Sequence, residues 1–147
     1  MIFKLLVSTG LIAMTLSTPS QAADTAVKLA PCPNTPNCVS SQAPKDSGHY
    51  IAPFKIKGKV EDAWAALQRT LAGQKRTVIT EAGNGALHAE ATTLVFRFVD
   101  DVDAVLDADA KLIHIRSASR VGYSDLGVNR RRMEALRRQL QQAGIVE

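Results

Sequence analysis

Two segments of this chain alternate apolar and polar residues with a period of two. In the first, ALHAEAT, Leu87 and Ala89 fall on one side, and in the second, KLIHIRS, Ile113 and Ile115 do so. Successive side chains of a β-strand point to opposite faces, so both segments are predicted to be strands with one buried face. If the two strands share a sheet, their polar residues converge on its other face: His88, Glu90, His114 and Arg116.

Two amphipathic helices are predicted to cover the apolar face. The segment VEDAWAALQRTLAG has apolar residues at helical spacing, ends at Gly73, and is predicted to bury Trp64 as a core anchor. A second helix is predicted from about Gly127 to Gln142, with Ser124 or Asp125 as its cap.

The remaining segments are typical of short strands and turns. RTVITEA and ALHAEATT form a predicted hairpin around Gly83, Asn84 and Gly85, and YIAPFKIKG is a predicted edge strand because it contains a proline. LVFRFV is predicted to be extended, and VDAVLDADAKLIHIRSA to be two strands joined around residues 107–111. The order strand, helix, strands, helix indicates an α+β domain, an antiparallel sheet with two main helices packed on one face.

The N-terminal part of the chain has a different composition. Residues 1–22 are predicted to be a cleaved secretory signal peptide, with Lys4, an apolar run and small residues before the cleavage point. A membrane anchor is disfavoured because the apolar run is shorter than the roughly 20 residues that a bilayer requires. Residues 23–47, rich in Pro, Ser and Asn, are predicted to be an extended arm, and residues 48–147 a single α+β domain. The expected location is periplasmic or secreted.

Cys32 and Cys38, the two cysteines of the chain, lie in PCPNTPNCVSS. In an oxidising compartment this even count predicts a disulfide. A metal site would need two more ligands from the histidines, and the spacing is not that of a Cys-x-x-Cys redox motif. No metal and no cofactor are predicted.

Seven arginines lie between Arg116 and Arg138, although the formal net charge of the whole chain is only +4. One hypothesis is an anion site at the loop before the last helix, formed by Arg116, Arg120, Ser117 and Ser119. The competing hypothesis is internal pairing of Arg97, Arg116 and Arg120 with Asp100, Asp101 or Asp125. The helical wheel directs Arg131 and Arg138 to solvent and places Asn129 in the apolar stripe, where it is predicted to tie the helix to a backbone segment.

Several blocks of the sequence resemble one family. CPNTPNCVSSQA, HYIAP, LHAE, FRFVDDVD and IHIRSASRVGYSDLGVNRRRMEALR are similar to DUF1499, a domain-of-unknown-function family found in bacteria and in plant chloroplasts. The resemblance covers nearly all of the chain after the signal peptide. It implies a compact domain and supplies no established reaction.

The residues therefore have to supply the functional hypothesis. The leading one is a non-catalytic exported binding or scaffold protein of the cell envelope, which engages an anionic small molecule or an envelope component. Its candidate ligand-binding residues are Arg116, Arg120, Ser117, Ser119, His88, Glu90 and His114. The alternative is a small enzyme that uses His88 or His114 as acid/base and Arg116 to stabilise an anionic intermediate. Nucleic acid is not an expected partner, because aromatic residues are few and an exported protein is separated from the nucleic acid of the cell. The sequence does not indicate the oligomeric state.

Overall fold

The structure, a computed structural model, describes residues 28–147. The predicted signal peptide, its cleavage point and residues 23–27 of the arm lie outside the described residues. The described elements, in chain order, are β1 (Cys38–Ser40), β2 (Phe54–Lys55), α1 (Val60–Ala72), β3 (Thr77–Gly83), β4 (Ala86–Thr92), β5 (Val99–Asp107), β6 (Leu112–Ser119) and α2 (Val128–Gln142).

The strands form one six-stranded sheet in the order β1-β6-β5-β4-β3, with β2 pairing beside the start of β6. All of these pairings are antiparallel. Both helices belong to the same hydrophobic core as the sheet: Leu67 and Leu71 come from α1, and Met133, Leu136 and Leu140 from α2. The predicted α+β class is therefore confirmed.

The hairpin between β3 and β4 follows from its turn residues. Asn84 and Gly85 have φ angles of 47° and 74°. A two-residue turn with both central residues at positive φ matches the right-handed twist of paired strands, and asparagine and glycine adopt this conformation most easily. The predicted hairpin is confirmed, as is the junction of β5 and β6 at residues 108–111.

Two segments differ from the sequence prediction. Residues 38–40, inside the predicted arm, form β1 and pair with β6. Residues 94–96 form an exposed turn instead of continuing an extended strand. The reason is a local closure, in which the Thr93 N–H donates to the Phe98 carbonyl at 2.8 Å and the Phe98 N–H donates to Thr93 Oγ1 at 2.9 Å.

The alternation seen in the sequence places the buried side chains as expected. Leu87, Ala89, Ile113 and Ile115 are at most 4% exposed and belong to one core. Trp64 is less buried than predicted: it packs against that core but is only partly enclosed. It contributes to the packing of α1 without being the fully enclosed anchor that was expected.

The arm is fastened to the sheet at several points. Cys32 and Cys38 are joined by a disulfide, which confirms the predicted pairing. The Leu29 N–H donates to Gln42 Oε1 at 2.8 Å, so the chain N-terminal to the disulfide returns toward the residues that follow β1. Lys28 and Leu29 lie beside His88 and Asp103 on the wall of one depression. The start of the described chain therefore reaches the face of the sheet that the helices leave free.

Candidate functional site

Strands β4, β5 and β6 bring the predicted polar residues onto one face of the sheet. His88 of β4 is paired with Asp103 of β5, which is paired with Arg116 of β6. Residues directly opposite in antiparallel strands point to the same face, so these three side chains form one row. Glu90 lies opposite Asp101 in the neighbouring row, and His114 lies two residues from Arg116 on the same strand. The predicted convergence is therefore present on the face opposite the helices.

Asp103 is at the centre of a charged network on this face. His88 Nδ1 lies 2.7 Å from Asp103 Oδ1, and Arg116 Nη1 donates to Asp103 Oδ2 at 3.2 Å. The Nε2 atom of His88 lies 3.4 Å from Asp101 Oδ1. Both nitrogens of the imidazole thus face carboxylates. Arg116 Nε is buried without a hydrogen-bond partner in the described part of the chain.

Arg120 joins the second row of the network. Its Nε donates to Asp101 Oδ1 at 2.9 Å, and its Nη2 donates to both Asp101 and Glu90. The hydrogen bonds to Asp101, and after them those to Glu90, raise the pKa of the Arg120 guanidinium above its ordinary value. Two carboxylates therefore already neutralise this arginine, as the internal-pairing hypothesis proposed, although with Glu90 as an additional partner.

His88, Glu90 and Asp101 are the group in the described chain with metal-ligating geometry. One ligand atom from each residue lies within 4.8 Å of the others. The Arg120 guanidinium, however, donates to both carboxylates of this group. A cation at this point would have to displace a charge that the protein itself supplies.

Ser117 and Ser119 are on the other side of the sheet. Ser117 is fully buried, and its hydroxyl donates to Asn129 Oδ1 at 2.6 Å. Asn129 Nδ2 donates to Ser119 Oγ at 2.9 Å and to the Asn37 carbonyl at 3.1 Å. The structure therefore separates the two serines from Arg116 and Arg120, and it shows Asn129 tying α2 to a backbone segment as predicted.

Asp125 prepares the start of α2. It accepts hydrogen bonds from the backbone N–H groups of Gly127 and Asn129, each at 2.8 Å, and a third from the Asn129 side chain. Burial disfavours the charged carboxylate, but the hydrogen bonds from Asn129 and Gly127 outweigh it and lower the pKa of Asp125. The N-cap residue of α2 is Gly127, and of the two predicted caps Asp125 accepts the Asn129 N–H of the first turn, whereas Ser124 Oγ accepts the Leu126 N–H.

The contacts of the arginines in α2 explain much of the basic segment between Arg116 and Arg138. Arg137 donates to the Pro53 carbonyl at 3.0 Å and to the Ala52 carbonyl, and its guanidinium lies 4.8 Å from the centre of the Phe54 ring. Arg130 donates to the Gly48 carbonyl at 2.9 Å. These two arginines fasten residues 48–54 to the helix. As predicted, Arg131 and Arg138 are exposed.

His114 opens onto a cleft that sequence reasoning did not identify. The cleft has a volume of about 770 Å³ and lies between the residues after β1, strand β2 and the start of β6. Its polar wall carries Ser41, Lys45, Tyr50, Lys55, His114, Arg137 and Glu147, and its apolar wall carries Ala43, Ala52, Pro53 and Leu112. The volume falls within the range of small-molecule sites in proteins.

Ser41 and His114 are hydrogen-bonded at the wall of the cleft. Ser41 Oγ accepts the Ile115 N–H at 2.9 Å and lies 3.2 Å from His114 Nδ1. One tautomer satisfies both groups: the hydroxyl donates its proton to Nδ1, and the ring N–H is on Nε2. His114 then has one hydrogen-bond donor that no part of this network uses.

No short motif in the sequence marked this cleft. Ser41 and Lys45 come from the predicted arm, Tyr50 begins the predicted edge strand, and Glu147 is the last residue of the sequence. They meet because β1 and β2 both pair with β6, and because the Glu147 N–H donates to the Lys55 carbonyl at 3.0 Å. The lysines at positions 55, 57 and 59 could have indicated a basic surface, although only Lys55 of the three lines the cleft.

Fold and site together define a small α+β domain whose sheet is covered by helices on one face and carries a charged network beside a basic cleft on the other. The chain belongs to the family described as "Protein of unknown function (DUF1499)", which matches residues 28–140. Neither the curated proteins nor the solved structures compared with the chain include a match. Within residues 28–147, no helix has the length and apolar character needed to cross a bilayer.

Proposed function

We propose that this protein is a non-catalytic binding domain of the cell envelope, and that it holds a small anion with an apolar part in the cleft beside His114. The observation that carries the proposal is the charge of the cleft wall. Lys45, Lys55 and Arg137 line it with the side-chain carboxylate of Glu147, and the Arg137 guanidinium is already paired with Glu134 at 3.0 Å. The two lysines therefore leave an excess of positive charge over the Glu147 side chain in a concave site of ligand size.

The cations differ in how far they are committed elsewhere. Lys55 Nζ lies 3.1 Å from Glu147, but both side chains are more than half exposed, with 65% and 58% of their surface accessible. An exposed pair of this kind contributes at most about 1 kcal/mol and yields readily to a better partner. Lys45 is exposed, and no carboxylate in the described part of the chain lies within salt-bridge distance of it. Both lysines can turn toward a bound anion.

His114 and Tyr50 supply directional groups between these cations. In the tautomer with its N–H on Nε2, His114 is a donor, and the Tyr50 hydroxyl is a donor or an acceptor. Ala43, Pro53 and Leu112 give the same cleft an apolar wall. A carboxylate or phosphate monoester attached to an aromatic or short alkyl group matches this combination.

This proposal assigns a supporting role to Arg116 and Arg120. Their charge is matched by Asp103, Asp101 and Glu90, which leaves little attraction for an additional anion. The network holds β4, β5 and β6 together on the open face. Of the candidate residues taken from the sequence, His114 is the one that lines the cleft.

An exported location is part of the proposal. The signal-peptide pattern of residues 1–22 supports it, and so does the Cys32–Cys38 disulfide, because such bonds persist in oxidising compartments. Export would place the cleft among the small anions and anionic polymers of the envelope.

The test is a thermal-shift and calorimetric titration with phosphate, benzoate, phenyl phosphate and octanoate. The aryl and alkyl anions should raise the unfolding temperature more than phosphate does, because only they use the apolar wall. Lys55→Gln and His114→Ala should weaken binding of the best anion by about tenfold, the loss of one charge-assisted hydrogen bond. Lys57→Gln is the matched control, since Lys57 is exposed two residues further on and is not part of the cleft.

A titration in which none of the four anions shifts unfolding would contradict the proposal. So would equal losses in Lys55→Gln and Lys57→Gln, because binding would then depend on net charge and not on the cleft.

The enzyme alternative has one specific observation in its favour. His88 Nδ1 is 2.7 Å from Asp103, and both residues line a depression of about 430 Å³. A carboxylate that orients an imidazole is a common arrangement for a general base. Hydrolysis of activated aryl esters and aryl phosphates that disappears in His88→Gln, and is unchanged in His49→Gln, would support this alternative over the binding domain.

A further inference from the structure

Two neighbouring loops at one end of the sheet expose large apolar side chains. Residues 93–98 connect β4 to β5, and residues 120–127 connect β6 to α2. The start of β5 pairs with the end of β6, and the Arg120 N–H donates to the Val99 carbonyl at 3.2 Å, so the loops leave the sheet side by side. Their exposed residues, here called the apolar tips, are Leu94, Val95, Phe96, Phe98, Val121, Tyr123 and Leu126.

The degree of exposure is unusual for such residues. Val95 is 75% exposed, Phe96 73%, Tyr123 70% and Leu126 84%. A side chain that keeps most of its surface accessible protrudes from the protein and does not line a groove. Scattered single apolar residues on a surface need no explanation, but a contiguous group marks an interaction site.

The backbone holds these tips in place at a local cost. Arg97 and Leu126 adopt φ angles of 57° and 54°, in the left-handed region that disfavours residues with a side chain. Leu126 gains no packing from this conformation, because its side chain is almost fully exposed. Backbone strain that brings no side-chain packing is a feature of functional loops.

Hydrogen bonds order both loops before any partner arrives. Thr93 and Phe98 close the first loop through two bonds, and the rings of Phe96 and Phe98 stack with centroids 5.5 Å apart. In the second loop Asn37 Nδ2 donates to the Gly122 carbonyl at 2.8 Å. The tips therefore lose little conformational freedom when they are buried.

The charge around the tips is positive. Lys75 and Arg76 precede β3 at the same end of the sheet, Arg97 lies within the first loop, and Arg131 donates to the Leu126 carbonyl. None of these four is within salt-bridge distance of a carboxylate in residues 28–147. The acids nearby are engaged: Asp100 with Arg132, Asp101 and Glu90 with Arg120, and Asp125 with the start of α2.

We propose that the apolar tips and these four cations form a docking surface for a lipid bilayer with anionic headgroups. Protruding aromatic and aliphatic side chains enter the interfacial region of a bilayer, and arginine and lysine beside them reach lipid phosphates. Charge complementarity favours this occupant, since four cations without a carboxylate partner in residues 28–147 flank the apolar residues, whereas the acids nearby are hydrogen-bonded within the fold. The two ordered loops that carry the apolar tips and their basic neighbours give reversible attachment, because neither loop spans the membrane.

The surface is separate from the cleft beside His114. The cleft is next to Leu112 at the start of β6, whereas the tips follow Ser119 at its end. Eight residues of extended strand cover about 23 Å. A docked domain would hold the cleft away from the bilayer and open to solution, so the two proposals fail or succeed independently.

The experiment is co-sedimentation of the purified protein with vesicles of phosphatidylcholine alone or with one-third phosphatidylglycerol. The wild type should partition to the anionic vesicles and be released by high salt. Phe96→Ser combined with Phe98→Ser should lower the partition coefficient by at least about tenfold, without lowering the unfolding temperature. Arg97→Gln should lower it by about fivefold. Arg138→Gln makes the same charge change at the other end of α2 and should have no effect.

The proposal is overturned if the wild type stays in solution with anionic vesicles, or if the double phenylalanine variant partitions like the wild type. It is also overturned if sedimentation velocity shows a wild-type dimer that the double variant disperses, because the tips would then belong to an interface between two copies.

Discussion

Arg132 donates from Nη2 to Asp100 Oδ2 at 2.6 Å, and this pair connects α2 to β5 inside the protein. Only 14% of the Arg132 side chain and 2% of the Asp100 side chain are exposed. Asp100 shares its face of β5 with Val102 and Ala104, so it is a carboxylate on the core side of the sheet. Its charge has to be matched within the fold, and Arg132 supplies the match.

Replacing Arg132 with alanine should therefore be costly. The substitution leaves Asp100 buried and unpaired, and such a break typically lowers the free energy of unfolding by about 3–5 kcal/mol. Arg138→Ala removes the same charge from the exposed side of α2 and should change it by no more than about 0.5 kcal/mol. Urea denaturation of both variants measures the difference, and equal losses would show that the pair adds nothing specific.

Asn129 should be equally sensitive, for a different reason. Its amide accepts from Ser117 and Arg132 and donates to Asn37, Ser119 and Asp125. Asn129→Ala leaves several of these groups unpaired in a dry environment and should lower the free energy of unfolding by about 3 kcal/mol. Gln139→Ala on the exposed side of α2 is the control. A loss below about 1 kcal/mol would indicate that water replaces the amide.

The lowered pKa of Asp125 predicts how the stability of the protein depends on pH. Hydrogen bonds lower its pKa in the folded protein below the ordinary value of 3.8, so its stabilisation is present above that value and is lost as pH falls through the folded-state pKa. Asp125→Asn replaces one carboxylate oxygen with an amide group that cannot accept a hydrogen bond, and it should cost about 1.5 kcal/mol at neutral pH, the loss of one hydrogen bond to a charged group. The difference from the wild type should shrink below about pH 4. Unfolding curves between neutral pH and pH 3 measure it, and a difference that is constant with pH would contradict the role of the charged form.

Replacing Leu126 with asparagine should make the protein more stable. Its φ of 54° is unfavourable for leucine and well tolerated by asparagine, and its side chain contributes little packing at 84% exposure. Leu126→Asn should raise the free energy of unfolding by about 0.5 kcal/mol. Leu94→Asn, at 67% exposure and ordinary φ, should be neutral. If Leu126→Asn destabilises the protein, the residue packs against something and the strained-tip interpretation is wrong.

One measurement of intact mass tests both the cleavage of the predicted signal peptide and the disulfide. The exported protein should begin at Ala23 and carry the Cys32–Cys38 disulfide, so its intact mass should rise by about two hydrogens on reduction. Two free thiols in non-reduced exported protein would contradict the disulfide, and a mass that includes residues 1–22 would contradict the cleavage.

The sequence predicted the elements of this fold well because they depend on local patterns. The alternation in residues 86–92 and 111–117 specified which side of each strand is buried, and the structure has Leu87 and Ile113 inside and His88 and His114 on the other face. Local patterns also predicted the two helices and the Asn84–Gly85 turn. The even count of cysteines predicted the disulfide. The turn at residues 94–96 was missed because its apolar composition resembles a strand.

The sequence by itself determined the kinds of residue on each face, and the tertiary structure decided which of them meet. Internal pairing was foreseen for Arg120 with Asp101, but Asp100 was not matched with Arg132, because that contact joins a strand to a helix 32 residues further along the chain. The cleft beside His114 depended on Ser41 reaching β6 and on Glu147 reaching β2, which pairs with β6. Side-chain direction is set by a period of two or 3.6 residues, whereas a site assembled from distant segments is set by packing and by the pairing of buried charges.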